Sequence, residues 1–179
     1  IVVVISLVPN VANAYAIYNR HRLSNGIGNY GRNTQYYFID WSAGSETSRI
    51  RSVMNKRVHS NGTGIYTPIT FRETTTQKSS IIDIERTPGM NGSVAGTTYF
   101  MTGSSSINAN ASNWYWAKIR IWGYYGCLSS WHKDAHEIGH AFGLQHSDVS
   151  NSLMHSNGFK TFVNSPGRDE RNGINYIYK

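Results

Sequence analysis

The stretch His136-Glu137-Ile138-Gly139-His140-Ala141-Phe142-Gly143-Leu144-Gln145-His146 decides how the rest of the chain is read. Its histidines stand at the first, fifth and eleventh places, and each interval has a geometric reason. Residues four apart share one face of a helix, so His136 and His140 can aim both imidazoles at one ion, at about 2.0–2.1 Å per zinc–nitrogen bond. A helix that simply continued would carry His146 roughly 9 Å past His140 along the axis, out of reach. The helix must therefore stop early. Gly143 is placed to stop it, because glycine enters the left-handed C-terminal conformation at little cost and lets the chain double back. Three histidine ligands leave one tetrahedral vertex open, which separates a catalytic zinc from a structural one.

Glu137 follows the first histidine and can reach a water on the ion without being a ligand. It is the expected general base, with the zinc lowering the water's pKa and polarising a carbonyl. HExxH alone arises by chance in helices, whereas five fixed residue types across eleven positions are a far more specific pattern.

Outward from this helix, placed at about residues 131–144, the chain alternates between strand-like and helix-like segments. Residues 36–41, YYFIDW, are aromatic and bulky and read as a strand, which Ser42-Ala43-Gly44 breaks. A helix capped by Ser45 follows, with Ile50, Val53, Met54 and Val58 on one face, and Asn61-Gly62-Thr63-Gly64 stops it. Residues 69–73, 80–85, 94–101 and 117–122 read as further strands, with a turn at 88–92 and a Ser/Asn-rich loop at 103–113. Ser165 as cap and Pro166 at the first helical position open a closing helix that runs to about Tyr178. The order fits an α+β or α/β pattern.

With 179 residues, 39% hydrophobic, the chain can bury one ordinary core, so one globular domain is expected. Charged residues make up only 15%, and Ser, Thr, Asn, Gly and Tyr supply most of the polarity, a mixture common in extracellular proteins. The 17 Lys and Arg against 10 Asp and Glu give +7, which could favour an anionic cell-surface polymer. Nucleic acid is not expected, because the basic residues are scattered; the densest set, Arg49, Arg51, Lys56 and Arg57, reads as a solvated helix face. Cys127 stands alone, so an intrachain disulfide and a cysteine-based structural zinc are both excluded, and a buried inert thiol is expected.

Residues 1–8 form an apolar run followed by Pro9 and Ala12-Asn13-Ala14, which suits the end of a secretory signal cut after Ala14 or Ala16. The run is too short to span a bilayer, and a buried strand is the alternative. The expected organisation is a truncated signal peptide at 1–14 (or 1–16), an N-terminal segment at 15–35 and a catalytic domain at 36–179, secreted and monomeric.

The full motif, followed by Ser147 and then by Ser152-Leu153-Met154-His155, resembles the metzincin clan of zinc peptidases and its methionine turn. Ser147 after the third histidine resembles the matrixin, or matrix-metalloprotease, branch, in a minimal form of bacterial type. Thr67-Pro68-Ile69-Thr70-Phe71, Asp169-Glu170 and Gly173-Ile174 are similar to matrixin segments as well. The resemblance implies an α+β zincin-like fold: a twisted mixed sheet, an active-site helix, and a small C-terminal subdomain ending in a helix. It implies one catalytic Zn2+ on His136, His140 and His146, with Met154 as a hydrophobic floor, and Gly143 and Ser147 supporting the site. It also implies that Val94, Ala95 and Gly96 belong to an edge strand that pairs with a protein or peptide substrate.

Departures from the family pattern carry expectations too. Gly96 stands in place of a histidine ligand of the matrixin structural zinc, so a second zinc is not expected, and no matrixin-like acidic calcium loop is visible, which leaves Ca2+ open. Ser156-Asn157-Gly158 replaces the usual proline and aromatic residues after the methionine turn, and residues 15–39 contain no Cys, Asp or Glu, so no metal-blocking switch is expected unless His21 serves. His21, His59, His132 and His155 lack ligand spacing and read as surface or hydrogen-bonded histidines. A secreted zinc-dependent endopeptidase is the first functional expectation. A hydrolase of bacterial cell-wall peptide bridges is the second, and a non-catalytic zinc-binding surface module, against which Glu137 argues, is the third.

Overall fold

The computed structural model describes residues 15–58, 62–89, 94–123, 130–156, 163 and 165–179. The expected signal segment at 1–14, Cys127, His59 and Asn157-Gly158 lie outside the described residues. In chain order the elements are β1 (Gln35–Ile39), α1 (Thr47–Val58), β2 (Phe71–Glu73), β3 (Ile82–Thr87), β4 (Gly96–Thr102), β5 (Ser105–Ile107), β6 (Trp116–Trp122), α2 (Ser130–Ala141) and α3 (Arg168–Ile177). Six strands form one mixed sheet in the order β2-β1-β3-β6-β4-β5. The first four of these run parallel, while β4 is antiparallel to β6 and to β5. The fold is α+β, as the resemblance implied.

Alternation explains how the sheet carries its helices. In β6, Ala117, Ile119 and Ile121 are buried, and the residues between them are less so. Period two puts those three on one face, and α2 packs on β6 and β4 and also against α1. From the less buried positions of β6, Lys118 and Arg120 both pair with Glu85 of β3, at 3.0 and 2.7 Å.

Several boundaries differ from the sequence reading, β2, β3 and β4 each starting two residues later than expected. Trp41 does not extend β1: the Asp40 carboxylate accepts the Ser42 N–H at 2.9 Å and starts a 3-10 turn, Trp41–Glu46, so α1 begins at Thr47 and Ser45 is not its cap. The Ser/Asn-rich loop contains β5, joined to β4 by a two-residue turn in which Gly103 adopts φ +60°. The closing helix begins at Arg168, with Gly167 at the cap position, two residues after Pro166. There the Glu170 side chain accepts the Gly167 N–H at 2.8 Å, which anchors the first turn in place of Ser165.

Residues 15–35 build into the core ahead of β1. Leu23 and Ile27 are buried, Ile17 pairs with Leu144, and Gln145 N–H donates to the Ala16 carbonyl at 2.9 Å. Tyr18, Phe100 and Trp114 form an edge-to-face cluster with centroid separations of 4.7 to 6.2 Å, and Trp114 Nε1 donates to the Ala141 carbonyl at the end of α2. The basic set on α1 is not uniformly solvated. Arg51 is half exposed and pairs with Glu73, but Arg57 is buried and its guanidinium donates to the Ala135 carbonyl of α2. Burial lowers its pKa to about 10, and the neighbouring Glu170 charge opposes that fall.

Candidate metal centre

The site is built on the last two turns of α2 and on the chain reversal after it. Apolar Ala135, Ile138, Ala141 and Phe142 are buried in the core, which fixes the rotation of the helix and turns His136, Glu137 and His140 together. The helix stops at Ala141, earlier than the expected Leu144. Gly143 adopts φ +102°, its N–H donates to the His140 carbonyl at 2.8 Å, and Leu144 N–H donates to the Gly139 carbonyl at 3.1 Å. That pair of bonds is a Schellman termination, with glycine in the left-handed place.

The reversal returns His146 to the helix. One ligand nitrogen from each of His136, His140 and His146 lies within 4.8 Å of the others, and the ring centroids are 4.6 to 5.1 Å apart. His136 Nδ1–H donates to the Leu153 carbonyl at 2.9 Å, and His140 Nδ1–H to the Leu144 carbonyl at 2.7 Å. Tyr18 Oη lies a further 3.1 Å from His140 Nδ1. Carbonyls only accept, so both protons are fixed on Nδ1 and both Nε2 lone pairs face inward, 3.0 Å apart. Two lone pairs directed at each other over that distance repel unless a cation lies between them, and three neutral imidazoles are a donor set suited to zinc. Burial also keeps the imidazoles neutral: it lowers the pKa of His136 well below the usual histidine range, that of His140 to about 4, and that of His146 as well.

Glu137 is buried beside β4. Its Cγ occupies the space over Gly96, where an added Cβ would come within 2.5 Å of it. Thr98 Oγ1 lies 2.8 Å from Glu137 Oε2 and 2.9 Å from the Glu137 main-chain oxygen. Burial pushes the carboxyl up to about 7, against the lowering effect of the Thr98 hydrogen bond and with a further rise from the Asp134 charge. A carboxyl titrating near neutrality can both take and return a proton.

Below the imidazoles, Ser147 N–H donates to the Met154 carbonyl at 2.8 Å and Ser147 bridges to His155. The Met154 thioether lies against α2 at Gly139, between the two helical histidines, where any Cβ would collide with Sδ. Glu170 locks this turn from α3. Its Oε1 accepts from Ser152 Oγ at 2.8 Å and Leu153 N at 2.6 Å, and its Oε2 from Gly167 N at 2.8 Å. Leu153 is also the residue whose carbonyl orients His136, so α3 reaches a histidine through a single residue.

Among the expected edge residues, Val94 is 41% exposed, and Gly96 opens β4. The Ala95 carbonyl accepts the Trp122 N–H at 3.0 Å and so points into the sheet. Alternation in an antiparallel ladder then turns the main-chain groups of Gly96 and Thr98 outward. β5 covers only Phe100–Thr102 of this side, so among the described residues the Gly96 and Thr98 edge is unpaired. His21 Nδ1–H donates to the Ala109 carbonyl at 3.0 Å, and His132 Nδ1–H to the Val163 carbonyl at 3.0 Å; neither joins the trio.

Sequence reasoning gave no role to Tyr18, Thr98 or Gly139, read Arg57 as part of a solvated helix face, and quoted Glu170 without a partner. Period-two alternation from Gly96 was the available signal for Thr98, since it shares the face that meets Glu137. The others depend on contacts between distant segments, which no local pattern encodes.

Two imidazoles from one helix and a third from the reversal behind it, on a mixed sheet with an antiparallel outer strand, define a zinc-peptidase type of centre. The sequence model described as matrixin matches residues 31–179, and the chain belongs to this family of metallopeptidases, whose catalytic ion is zinc. No curated protein matches the chain.

Proposed function

We propose that the protein is a secreted endopeptidase that cleaves extended polypeptides at the His136, His140 and His146 centre, with Glu137 as general base. The observation that carries this reading is the convergence of three imidazoles, two of them tautomer-fixed, beside a buried carboxyl of nearly neutral pKa. His136, His140 and His146 would hold a zinc ion, which would supply Lewis acidity to a water and to a scissile carbonyl. Glu137 takes the water's proton and returns it to the departing amine, so carbon–nitrogen cleavage is matched by one hydroxyl on the new acid and one proton on the new amine.

The outward main-chain groups of Gly96 and Thr98 offer donors and acceptors to an extended peptide, which would add to the sheet as a strand. Val94 stands at the entrance to that edge, and Ala95 contributes through its side chain, its carbonyl being engaged by Trp122. The Ala16 carbonyl, which accepts Gln145 N–H next to the third histidine, favours signal cleavage after Ala14 over Ala16. N-terminal sequencing of the exported protein tests this, and a start at Ile17 would reject it.

The central test is Glu137→Ala. Metal analysis should still find one zinc per chain while hydrolysis of casein falls to background. Undiminished hydrolysis would remove Glu137 from the mechanism.

A further inference from the structure

We propose that Thr98 is a positioning residue that ties the seating of the substrate strand to the placement of Glu137. The inference rests on Glu137 being the base. Thr98 sits on β4 with its side chain toward α2 and its main-chain N–H and C=O directed outward at the unpaired edge. Its hydroxyl carries one proton and lies 2.8 Å from Glu137 Oε2 and 2.9 Å from the Glu137 main-chain oxygen. Donated to Oε2, that proton fastens β4 to the carboxylate itself, and the main-chain oxygen of the same residue holds the hydroxyl within reach of it.

Gly96 completes the clamp from two residues away on the same face. The carboxylate arm lies where a side chain at that position would be, with Glu137 Cγ, Cδ and Oε1 at 2.5, 2.8 and 2.8 Å from an added Cβ. Glu137 is therefore bounded by β4 at both ends of its side chain: the absent Cβ of Gly96 leaves room for the arm, and Thr98 holds one oxygen. The other oxygen, Oε1, has no hydrogen-bond partner among the described residues. A peptide pairing with the Gly96 and Thr98 main chain would be registered by the same two residues that register the base. A 1 Å error in such placement is enough to cost about a hundredfold in rate.

Thr98→Val keeps the branched shape and strand preference while deleting the hydroxyl, and Thr98→Ser keeps the hydroxyl while deleting the methyl. With zinc content and thermal midpoint measured on every variant, Thr98→Val should lower kcat about ten- to hundredfold, as expected for loss of one hydrogen bond to a charged group, with KM within about twofold. Thr98→Ser should regain most of the loss. In a Glu137→Gln background, Thr98→Val should have no further effect on kcat, because the hydroxyl acts through the carboxylate. An unchanged kcat in Thr98→Val, failure of Thr98→Ser to rescue, or a full additional loss in the double variant would overturn the proposal. If Glu137→Gln alone retained hydrolysis, the base assignment would fail instead, and the two failures are thereby distinguished.

Discussion

Two buried glutamates flank the imidazole trio, and their surroundings differ in a way that separates chemistry from construction. Above, Glu137 meets one hydroxyl, from Thr98, and burial holds its pKa up near 7. Below, Glu170 accepts three hydrogen bonds, from Ser152, Leu153 and Gly167, and joins α3 to the methionine turn. A carboxylate whose lone pairs are already engaged serves as a fastener; one left short of donors in an apolar wall stays poised to change its protonation. The lesson is that burial alone does not mark the reactive acid. The number of donors facing it does.

That contrast breaks most sharply in activity. Glu137→Gln should lower kcat by about 10²–10⁴, the usual worth of a positioned acid–base group, without lowering the thermal midpoint. Glu170→Gln, which preserves shape and part of the hydrogen bonding, should leave most of kcat in place. Steady-state kinetics on one peptide substrate compares them, and equal losses would erase the distinction. The order reverses for stability. Glu170→Ala strands three donors, two of them main-chain N–H groups, and also leaves the Arg57 guanidinium without the carboxylate charge that favours it. A loss of about 3–5 kcal/mol in urea unfolding is expected from removing one member of a buried charged network. A loss below about 1 kcal/mol would show that the turn does not depend on α3.

The same contrast explains what could be read from the sequence. The upper half of the site announced itself: His136, His140 and Glu137 follow helical spacing, and Gly143 follows from the need to bring His146 back. The strands were legible where alternation was strong, as in β6, and β5 was missed because Ser105 and Ser106 carry little of that signal. What was not legible is pairing across the fold. Glu170 lies 17 residues beyond Leu153, and nothing in either local pattern says that one accepts from the other. Arg57 looked like a surface cation because its neighbours on α1 are basic, yet it is buried against α2, which Arg49 and Lys56 also meet through Asp134 and the Trp131 ring. Thr98 stands between these cases, since its face was predictable from alternation and its partner was not.

The mildest prediction sharpens the comparison through pH. In the metal-free protein the folded-state pKa of Glu137 is raised to about 7 from 4.5, principally by burial, so between those values the native state binds more protons than the unfolded one. Stability conferred at this position must then fall as pH rises across that window, and the cost is fully present above pH 7 and absent below pH 4.5. Glutamine fits the same space and carries no charge. Chelated Glu137→Gln should therefore be more stable than chelated wild type at pH 8, by about 3 kcal/mol, the order of the free-energy equivalent of such a shift. The advantage should shrink steadily towards pH 4.5. Adding zinc should narrow it at pH 8, because a cation beside the carboxylate favours its charged form. Urea titrations at a series of pH values, with and without metal, measure all three trends. A variant that is less stable than wild type at pH 8, or an advantage that does not vary with pH, would mean that Glu137 is held as comfortably as Glu170 and that the functional division between the two carboxylates is wrong.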